Sequence, residues 1–263
     1  MLKLNYKKLL SKKNKIPITC LTAYSKPLAN ILDGKVDIIL IGDSLGTTLY
    51  GMQNTRGVTI EMMKNHGKAV VFNTRYSMTI VDMPYNTYRN KHEALKNALD
   101  ILTFTKADFI KIETDKKNIN IVEHLTNNKI KVISHIGVTP QKFSNFSKIR
   151  SVGKNIKDKN NLLNLAKKLE DAGSKMIVLE CIGLDTSKEI TNTLSIPTIG
   201  IGSSKYCDGQ VLVIDDILSL SSNNKKPKFI KNYINIEKNI TNAVKKFTKE
   251  VVNKNFPSKK YSY

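Results

Sequence analysis

Four carboxylates and one histidine stand at the ends of short apolar runs in this sequence, as Asp43, Asp82, Glu113, His135 and Glu180. Each run is rich in Ile and Val, which favours a β-strand. Ligands bind at the carboxyl ends of parallel strands, so we expect these side chains to converge on one site. Crowded carboxylates repel one another, and each is costly to bury unless it is paired. The set therefore predicts a hard divalent cation or a cationic ligand.

Each acid also has a simpler interpretation when it is taken alone. Asp43 or Asp82 is equally consistent with a helix N-cap or a solvated turn residue. A group of four acids, each at the end of a different predicted strand, is harder to explain in this way. The convergence therefore favours a functional site.

The elements that would position these residues alternate along the chain. Predicted strands cover residues 17–24, 36–43, 78–82, 109–113, 131–135, 176–180, 197–202 and 211–214. Helix-length amphipathic stretches separate them, among them residues 160–172, which end at a plausible capping glycine, Gly173. Such βα units build either an open parallel sheet or a closed barrel. Eight strands with interspersed helices favour the α/β class and a closed (β/α)8 TIM barrel.

The fourth strand carries two charged residues on one face. Side chains two residues apart on a strand point the same way, so Lys111 and Glu113 are predicted to face the barrel interior. Ile110 and Ile112 would then face the covering helices. A lysine beside an acid is as consistent with a plain ion pair as with catalysis when the pair is viewed alone.

Length and composition favour one domain. Barrels of this type commonly run to about 250 residues, and the chain has 263 residues with no Pro/Gly/Ser-rich linker and no internal repeat. We predict one barrel domain over residues 1–263, with an N-terminal extension over about residues 1–14 and a polar C-terminal tail over about residues 255–263. No apolar run is long enough to span a membrane, and the first residues are too polar for a signal peptide. We expect a cytoplasmic protein.

The strongly basic composition raises a second class of function. The formal net charge is +21, from 43 Lys and Arg against 22 Asp and Glu, and basic surfaces attract nucleic acids. The basic residues are spread along the chain, however, without interleaved aromatic residues or a nucleic-acid-binding module. We therefore expect no specific nucleic-acid partner. Cys20, Cys181 and Cys207 are widely spaced, which indicates reduced thiols rather than disulfides or a zinc site.

An ordered set of short motifs resembles a known family, the ketopantoate hydroxymethyltransferases. The motifs are Leu21-Thr-Ala-Tyr24, Gly42-Asp-Ser-Leu-Gly46, Asp82-Met-Pro84, Ile110-Lys-Ile-Glu113, His135-Ile-Gly-Val-Thr-Pro-Gln141, Leu179-Glu-Cys181, Gly200-Ile-Gly202 and Cys207-Asp-Gly-Gln-Val-Leu-Val213. The resemblance covers roughly residues 15–235. It implies a barrel of the phosphoenolpyruvate/pyruvate superfamily type, Mg²⁺, and assembly as a homo-decamer.

The resemblance also implies a reaction and a role for each site residue. The reaction is transfer of a hydroxymethyl group from 5,10-methylenetetrahydrofolate to 3-methyl-2-oxobutanoate, giving 2-dehydropantoate in pantothenate biosynthesis. By this resemblance Glu180 is the catalytic base. The implied Mg²⁺ carboxylates are Asp43, Asp82 and Glu113, and the implied oxoacid contacts are Asp43, Ser44, Lys111 and His135.

Two other readings remain open at this point. One is a lyase or phosphonomutase of the same superfamily, although we find no loop carrying the catalytic cysteine that such enzymes commonly use. The other is a non-catalytic barrel whose basic surface binds polyanions. The clustered acids argue against the second reading, because an idle site gains nothing from repelling charges.

Overall fold

Eight parallel strands form a closed barrel in a computed structural model that describes residues 3–144, 150–220 and 227–263. Each strand pairs with the next along the chain, and β1 pairs with β8 to complete the ring. The strands are β1 (Ile18–Thr22), β2 (Ile38–Ile41), β3 (Met78–Asp82), β4 (Phe109–Glu113), β5 (Val132–Gly137), β6 (Met176–Glu180), β7 (Thr198–Ile201) and β8 (Gly209–Leu212). The predicted (β/α)8 barrel is confirmed.

Helices alternate with these strands. They are α1 (Tyr6–Leu10), α2 (Lys26–Leu32), α3 (Leu45–Thr48), α4 (Ile60–Val71), α5 (Lys91–Thr105), α6 (Ile119–Asn127), α7 (Ile156–Asp171), α8 (Leu184–Thr193), α9 (Ile214–Ile217) and α10 (Ile236–Val252). Helix α7 begins four residues before the predicted start at residue 160, because the Asn155 side chain caps it by accepting from the Asp158 N–H. Gly173 follows its end with a positive φ of 94°, as a capping glycine should.

The amino-terminal end of the barrel interior is apolar and covered. The predicted N-terminal extension contains α1, whose Leu9 is fully buried in the barrel's hydrophobic cluster beside Phe109 and Met176. The Tyr6 ring lies 6.0 Å from the Phe109 ring, and its hydroxyl donates to the carbonyl of Lys175. This extension therefore packs against the starts of the strands.

The chain divides into two compact units, residues Met1–Val213 and Ile214–Tyr263. The first contains the whole barrel, and the second contains α9, α10 and a short 3-10 helix at Lys259–Tyr261. Within the second unit the Phe256 ring packs between those of Phe247 and Tyr261, at 5.6 and 6.0 Å. That both units belong to one domain, as the sequence suggests, stays a prediction.

Within the part of the chain that the structure describes, no helix combines the length and the apolar character needed to cross a bilayer.

Candidate active site

All seven side chains singled out from the sequence lie at the carboxyl-terminal end of the barrel. Two follow β2, one ends β3, two lie on β4, one lies on β5 and one ends β6: Asp43, Ser44, Asp82, Lys111, Glu113, His135 and Glu180. The strand register sets Asp82 beside Lys111 and Glu113 beside His135. The predicted convergence is therefore present, and alternation along β4 turns Lys111 and Glu113 the same way.

Asp82 and Lys111 form a buried ion pair at the centre of this group. The Lys111 Nζ lies 2.9 Å from Asp82 Oδ1, and Asp82 Oδ2 accepts a hydrogen bond from the Asp43 backbone N–H at 3.1 Å. Burial raises the pKa of Asp82 to about 6 although Lys111 opposes the shift. For Lys111, burial is outweighed by the charges of Asp82 and Asp43, so its pKa is raised. Lys111 thus stays protonated inside the barrel.

Glu113 is also buried, and a backbone donor holds it. Both of its carboxylate oxygens accept from the Gln141 N–H, at 3.1 and 3.2 Å. Burial raises the pKa of Glu113 well above its ordinary value, and the charge of Asp43 adds to this shift. The surroundings of Glu113 therefore disfavour its ionised form.

His135 lies between two of the acids. Its Nε2 is 3.1 Å from Glu180 Oε2, and its Nδ1 is 3.9 Å from Glu113 Oε1. Among the described residues, neither ring nitrogen makes a hydrogen bond of good geometry. Burial lowers the pKa of His135, which keeps the ring neutral. Buried polar atoms are normally hydrogen-bonded, so these atoms indicate a ligand-binding site.

Ser44 lies in the loop after β2 and is fixed by Tyr24. Its Oγ is 2.8 Å from the Tyr24 hydroxyl, and the Tyr24 carbonyl in turn contacts His66 Nδ1 at 2.6 Å. A Cβ on Gly42 would lie 2.9 Å from the Ser44 Oγ, so a larger residue there would displace the hydroxyl. The lack of space beside the Ser44 hydroxyl therefore explains why the Gly42-Asp-Ser motif begins with glycine.

Three side chains that the sequence did not assign to the site also reach it, namely Tyr24, Tyr88 and Gln141. The Gln141 Nε2 donates to Asp43 Oδ2 at 2.8 Å and to the Met83 carbonyl at 3.0 Å, and Tyr88 donates to the Gln141 Oε1. Tyr24 and Gln141 each end a motif of the resemblance, which was the available signal for them. Nothing in the sequence pattern marked Tyr88.

The side chains available to bind a metal ion are two carboxylates, not a complete set of ligands that surrounds the ion. Among residues 3–144, 150–220 and 227–263, no three His, Cys, Asp or Glu side chains form a group ready to enclose a cation. Mg²⁺ commonly binds through one or two carboxylates and completes its octahedron with water and substrate oxygens. Asp43 and Asp82 fit that pattern, because both are buried and the Asp43 N–H donates to Asp82 Oδ2, which sets the two residues side by side. The three-carboxylate set with Glu113 stays a prediction.

Comparison with known proteins gives a consistent result. The family model described as ketopantoate hydroxymethyltransferase matches residues 3–259. A protein of Pelagibacter ubique (strain HTCC1062) named 3-methyl-2-oxobutanoate hydroxymethyltransferase is 50% identical over 254 residues, which covers 97% of each chain. One of Anaplasma marginale (strain St. Maries) with the same name is 40% identical over 260 residues, covering 99% of this chain and 93% of its own.

Solved structures of low sequence identity share the fold. The crystal structure of a phosphonopyruvate hydrolase complex with oxalate and Mg²⁺ superposes with a TM-score of 0.61 at 10% identity, covering 99% of this chain and 93% of that one. A 2,3-dimethylmalate lyase of the PEP mutase/isocitrate lyase superfamily gives 0.58 at 11% identity, covering 79% and 78%. At such identities these matches establish the barrel fold alone.

Proposed function

The chain belongs to the ketopantoate hydroxymethyltransferase family, and from this premise we propose that it transfers a hydroxymethyl group from 5,10-methylenetetrahydrofolate to 3-methyl-2-oxobutanoate. The product is 2-dehydropantoate, and the family implies a place in pantothenate biosynthesis. The observation that carries the proposal is the convergence of the buried Asp82, Lys111, Glu113 and His135 beside Glu180. It supports the proposal because the reaction needs cation donors, an oxoacid contact and a base close together.

The proposed cofactor is Mg²⁺, held by the carboxylates of Asp43 and Asp82. When bound there, the ion polarises the 2-oxo group of the substrate and stabilises negative charge that develops on its oxygen. The third predicted carboxylate, Glu113, is held by the Gln141 N–H, and we propose that it acts through water.

The oxoacid would be bound by groups of fixed charge. Lys111 keeps its proton because the neighbouring carboxylates raise its pKa, so it presents a positive charge to the substrate's carboxylate or keto oxygen. Ser44 offers a hydroxyl whose position is set by Tyr24. Neutral His135 offers an unpartnered nitrogen. These three groups orient the substrate with its C3 toward Glu180.

Glu180 is the proposed general base. Its side chain is 14% exposed, more than those of Asp82, Glu113 and His135, and Oε2 lies 3.1 Å from His135 Nε2. His135 therefore lies beside the carboxylate that removes the proton from C3 of the oxoacid. The carbon nucleophile formed then attacks the methylene carbon of the folate as one of its two C–N bonds breaks. Water displaces the second nitrogen, so the water oxygen becomes the hydroxyl group and tetrahydrofolate leaves. The proton taken from C3 and one proton of the water go to the two released nitrogens.

Proton NMR of 3-methyl-2-oxobutanoate in D2O tests this sequence of steps. With protein and Mg²⁺ we expect the C3 proton signal to disappear, and EDTA to prevent its loss. Addition of tetrahydrofolate and formaldehyde should then give 2-dehydropantoate. Exchange without product would indicate a different electrophile, as in the lyases and mutases that share the fold. A C3 proton signal that persists, with no 2-dehydropantoate formed, would contradict the proposal.

A Glu180→Gln variant tests the base, with Glu170→Gln as its matched control. Glu170 lies on α7 and contacts Ser195 and Ile196 before β7, at the other end of the barrel. We expect exchange to be lost in the first variant and retained in the second. Full exchange in Glu180→Gln would refute the assignment of the base.

We also propose a cytoplasmic homo-decamer. Supporting this, α10 presents a row of exposed apolar side chains at helical spacing, namely Ile240, Val244, Phe247 and Val251. Contiguous apolar surface of this kind is typical of contacts between chains. Sedimentation velocity would detect the decamer, and a monomer at micromolar concentration would contradict it.

A further inference from the structure

Among the buried and partly buried side chains described above, negative groups outnumber positive ones. Against the four carboxylates described above stands Lys111, and its Nζ lies against Asp82. The His135 ring lies between Glu113 and Glu180. Buried carboxylates such as Asp43 and Glu113 need hydrogen-bond donors that hold them in place.

Gln141 supplies those donors to both acids. The residue is 3% exposed and lies in the 3-10 helix Pro140–Lys142, after β5. Its side-chain Nε2 donates to Asp43 Oδ2 at 2.8 Å, and its backbone N–H is shared between the two oxygens of Glu113. One residue thus connects carboxylates that belong to β4 and to the loop after β2.

The Asp43 carboxylate and the Met83 carbonyl only accept, so they set which way the Gln141 amide points, and Tyr88 holds its other end. An amide presents a donor at one end and an acceptor at the other, and the two ends are nearly equal in size. The Tyr88 hydroxyl donates to Oε1, which leaves Nε2 for Asp43 and the Met83 carbonyl. The opposite orientation would place an amide oxygen against the Asp43 carboxylate.

We propose that Gln141 is a positioning residue that holds the Asp43 and Glu113 carboxylates for cation and substrate binding, and that Tyr88 anchors the Oε1 end of its amide. This inference rests on the proposed function, in which Asp43 is a donor to Mg²⁺. Partners that orient a metal ligand commonly change metal affinity or activity by about 10- to 100-fold when they are removed.

The expected effects differ between the two side chains. Gln141→Met keeps the length of the side chain and the backbone N–H to Glu113, and it removes both amide donors. We expect it to raise the Mg²⁺ Kd by about 10-fold or more. Tyr88→Phe removes one hydroxyl and keeps the ring, so the amide can rotate but is not lost. Tyr88→Phe should therefore also raise the Mg²⁺ Kd, but by less than Gln141→Met does.

Isothermal titration calorimetry of Mg²⁺ into metal-free protein, with saturating 3-methyl-2-oxobutanoate, measures this directly and needs no turnover. The matched controls are Gln210→Met and Tyr85→Phe. The Gln210 amide donates to the Ser204 carbonyl at 2.9 Å, and the Tyr85 hydroxyl accepts from Arg56 at 2.6 Å. Both controls should bind Mg²⁺ as the wild type does.

Thermal unfolding in EDTA separates positioning from a structural role. A positioning role predicts that Tyr88→Phe binds Mg²⁺ more weakly while its melting temperature is unchanged. It also predicts that the steady-state activity is reduced and that excess Mg²⁺ partly restores it. A folded Gln141→Met protein that binds Mg²⁺ within about twofold of the wild type would overturn the inference alone. Equal weakening in the Gln210→Met control would also overturn it. A wild type that binds no Mg²⁺ would overturn the proposed function, and the inference with it.

Discussion

Carboxylates lie at both ends of the barrel, and their surroundings shift their pKa values in opposite directions. Asp33 accepts hydrogen bonds from the N–H groups of Arg75, Tyr76 and Ser77 just before β3, and these bonds outweigh burial and lower its pKa. Glu170 has a lowered pKa for similar reasons, since it accepts from the loop before β7 and contacts Lys167. Both acids stabilise loops at the amino-terminal end.

The acids at the carboxyl-terminal end are placed differently. Burial and mutual repulsion raise the pKa of Asp82 and of Glu113, although Lys111 lies among them. Their ionised forms are therefore unfavourable for the fold, as expected of acids that bind a ligand. The comparison shows that acids stabilise the fold where several backbone donors meet one carboxylate, and cost stability where acids from several strands crowd together.

The largest expected effect is at the functional end. Glu180→Gln should slow C3 proton exchange by at least about 10³-fold, because the amide cannot accept the proton. The Glu180 side chain is partly exposed and is not held by a lysine, so the free energy of unfolding should change by less than about 1 kcal/mol. NMR exchange and urea unfolding measure the two quantities. A large loss of stability would contradict the distinction drawn between the acids at the two ends of the barrel.

The opposite pattern is expected at the amino-terminal end. Phe109→Ala removes a fully buried ring that packs with Tyr6 and Leu9, and it should lower the free energy of unfolding by about 4 kcal/mol. The exchange rate per folded molecule should stay near that of the wild type. Denaturant titration with activity measured on the same samples tests this. A selective loss of exchange in fully folded protein would contradict it.

Asp82→Asn should affect both properties, because Asp82 belongs to the site and is also the partner of Lys111. It leaves a buried ammonium without its counter-charge, which should cost about 3 kcal/mol of stability. It should also weaken Mg²⁺ binding. Calorimetry and unfolding in EDTA would measure these effects. Unchanged Mg²⁺ affinity would exclude Asp82 as a cation donor.

The smallest effect concerns Glu170. Glu170→Gln weakens the hydrogen bonds to the Ser195 and Ile196 N–H groups and should cost about 1 kcal/mol at pH 7. The folded pKa is lowered, so this stabilisation is present above the unfolded pKa, about 4.3, and disappears as the pH falls through the folded value. Unfolding at pH 7 and at pH 3 should show the difference shrinking. A constant difference would contradict this role.

Several parts of the fold and site could be predicted from the sequence. Strand runs ending on acids located the carboxyl-terminal end, and strand alternation placed Lys111 and Glu113 on one face. The start of α7 was missed because Asn155 acts as its cap, which depends on one side-chain hydrogen bond. Local periodicity carries no information about such contacts.

The role of Gln141 was beyond sequence reasoning for a different reason. It meets Glu113 and Asp43 across 28 and 98 residues of chain. Only the return of the loop after β5 over the strand ends brings these groups together. The number of carboxylates turned toward a cation depends on the same contacts, so the predicted set of three could not be derived from spacing.

The pairing of β1 with β8 has a consequence for synthesis of the chain. Ile18 pairs with Gly209, so the first strand made waits for almost the whole barrel unit to leave the ribosome before its outer edge is covered. Until then, β1 and the latest strand both present unpaired backbone groups, which favour association with other chains. Closure of the ring is therefore a late step in folding, and it covers the last open strand edges of the barrel.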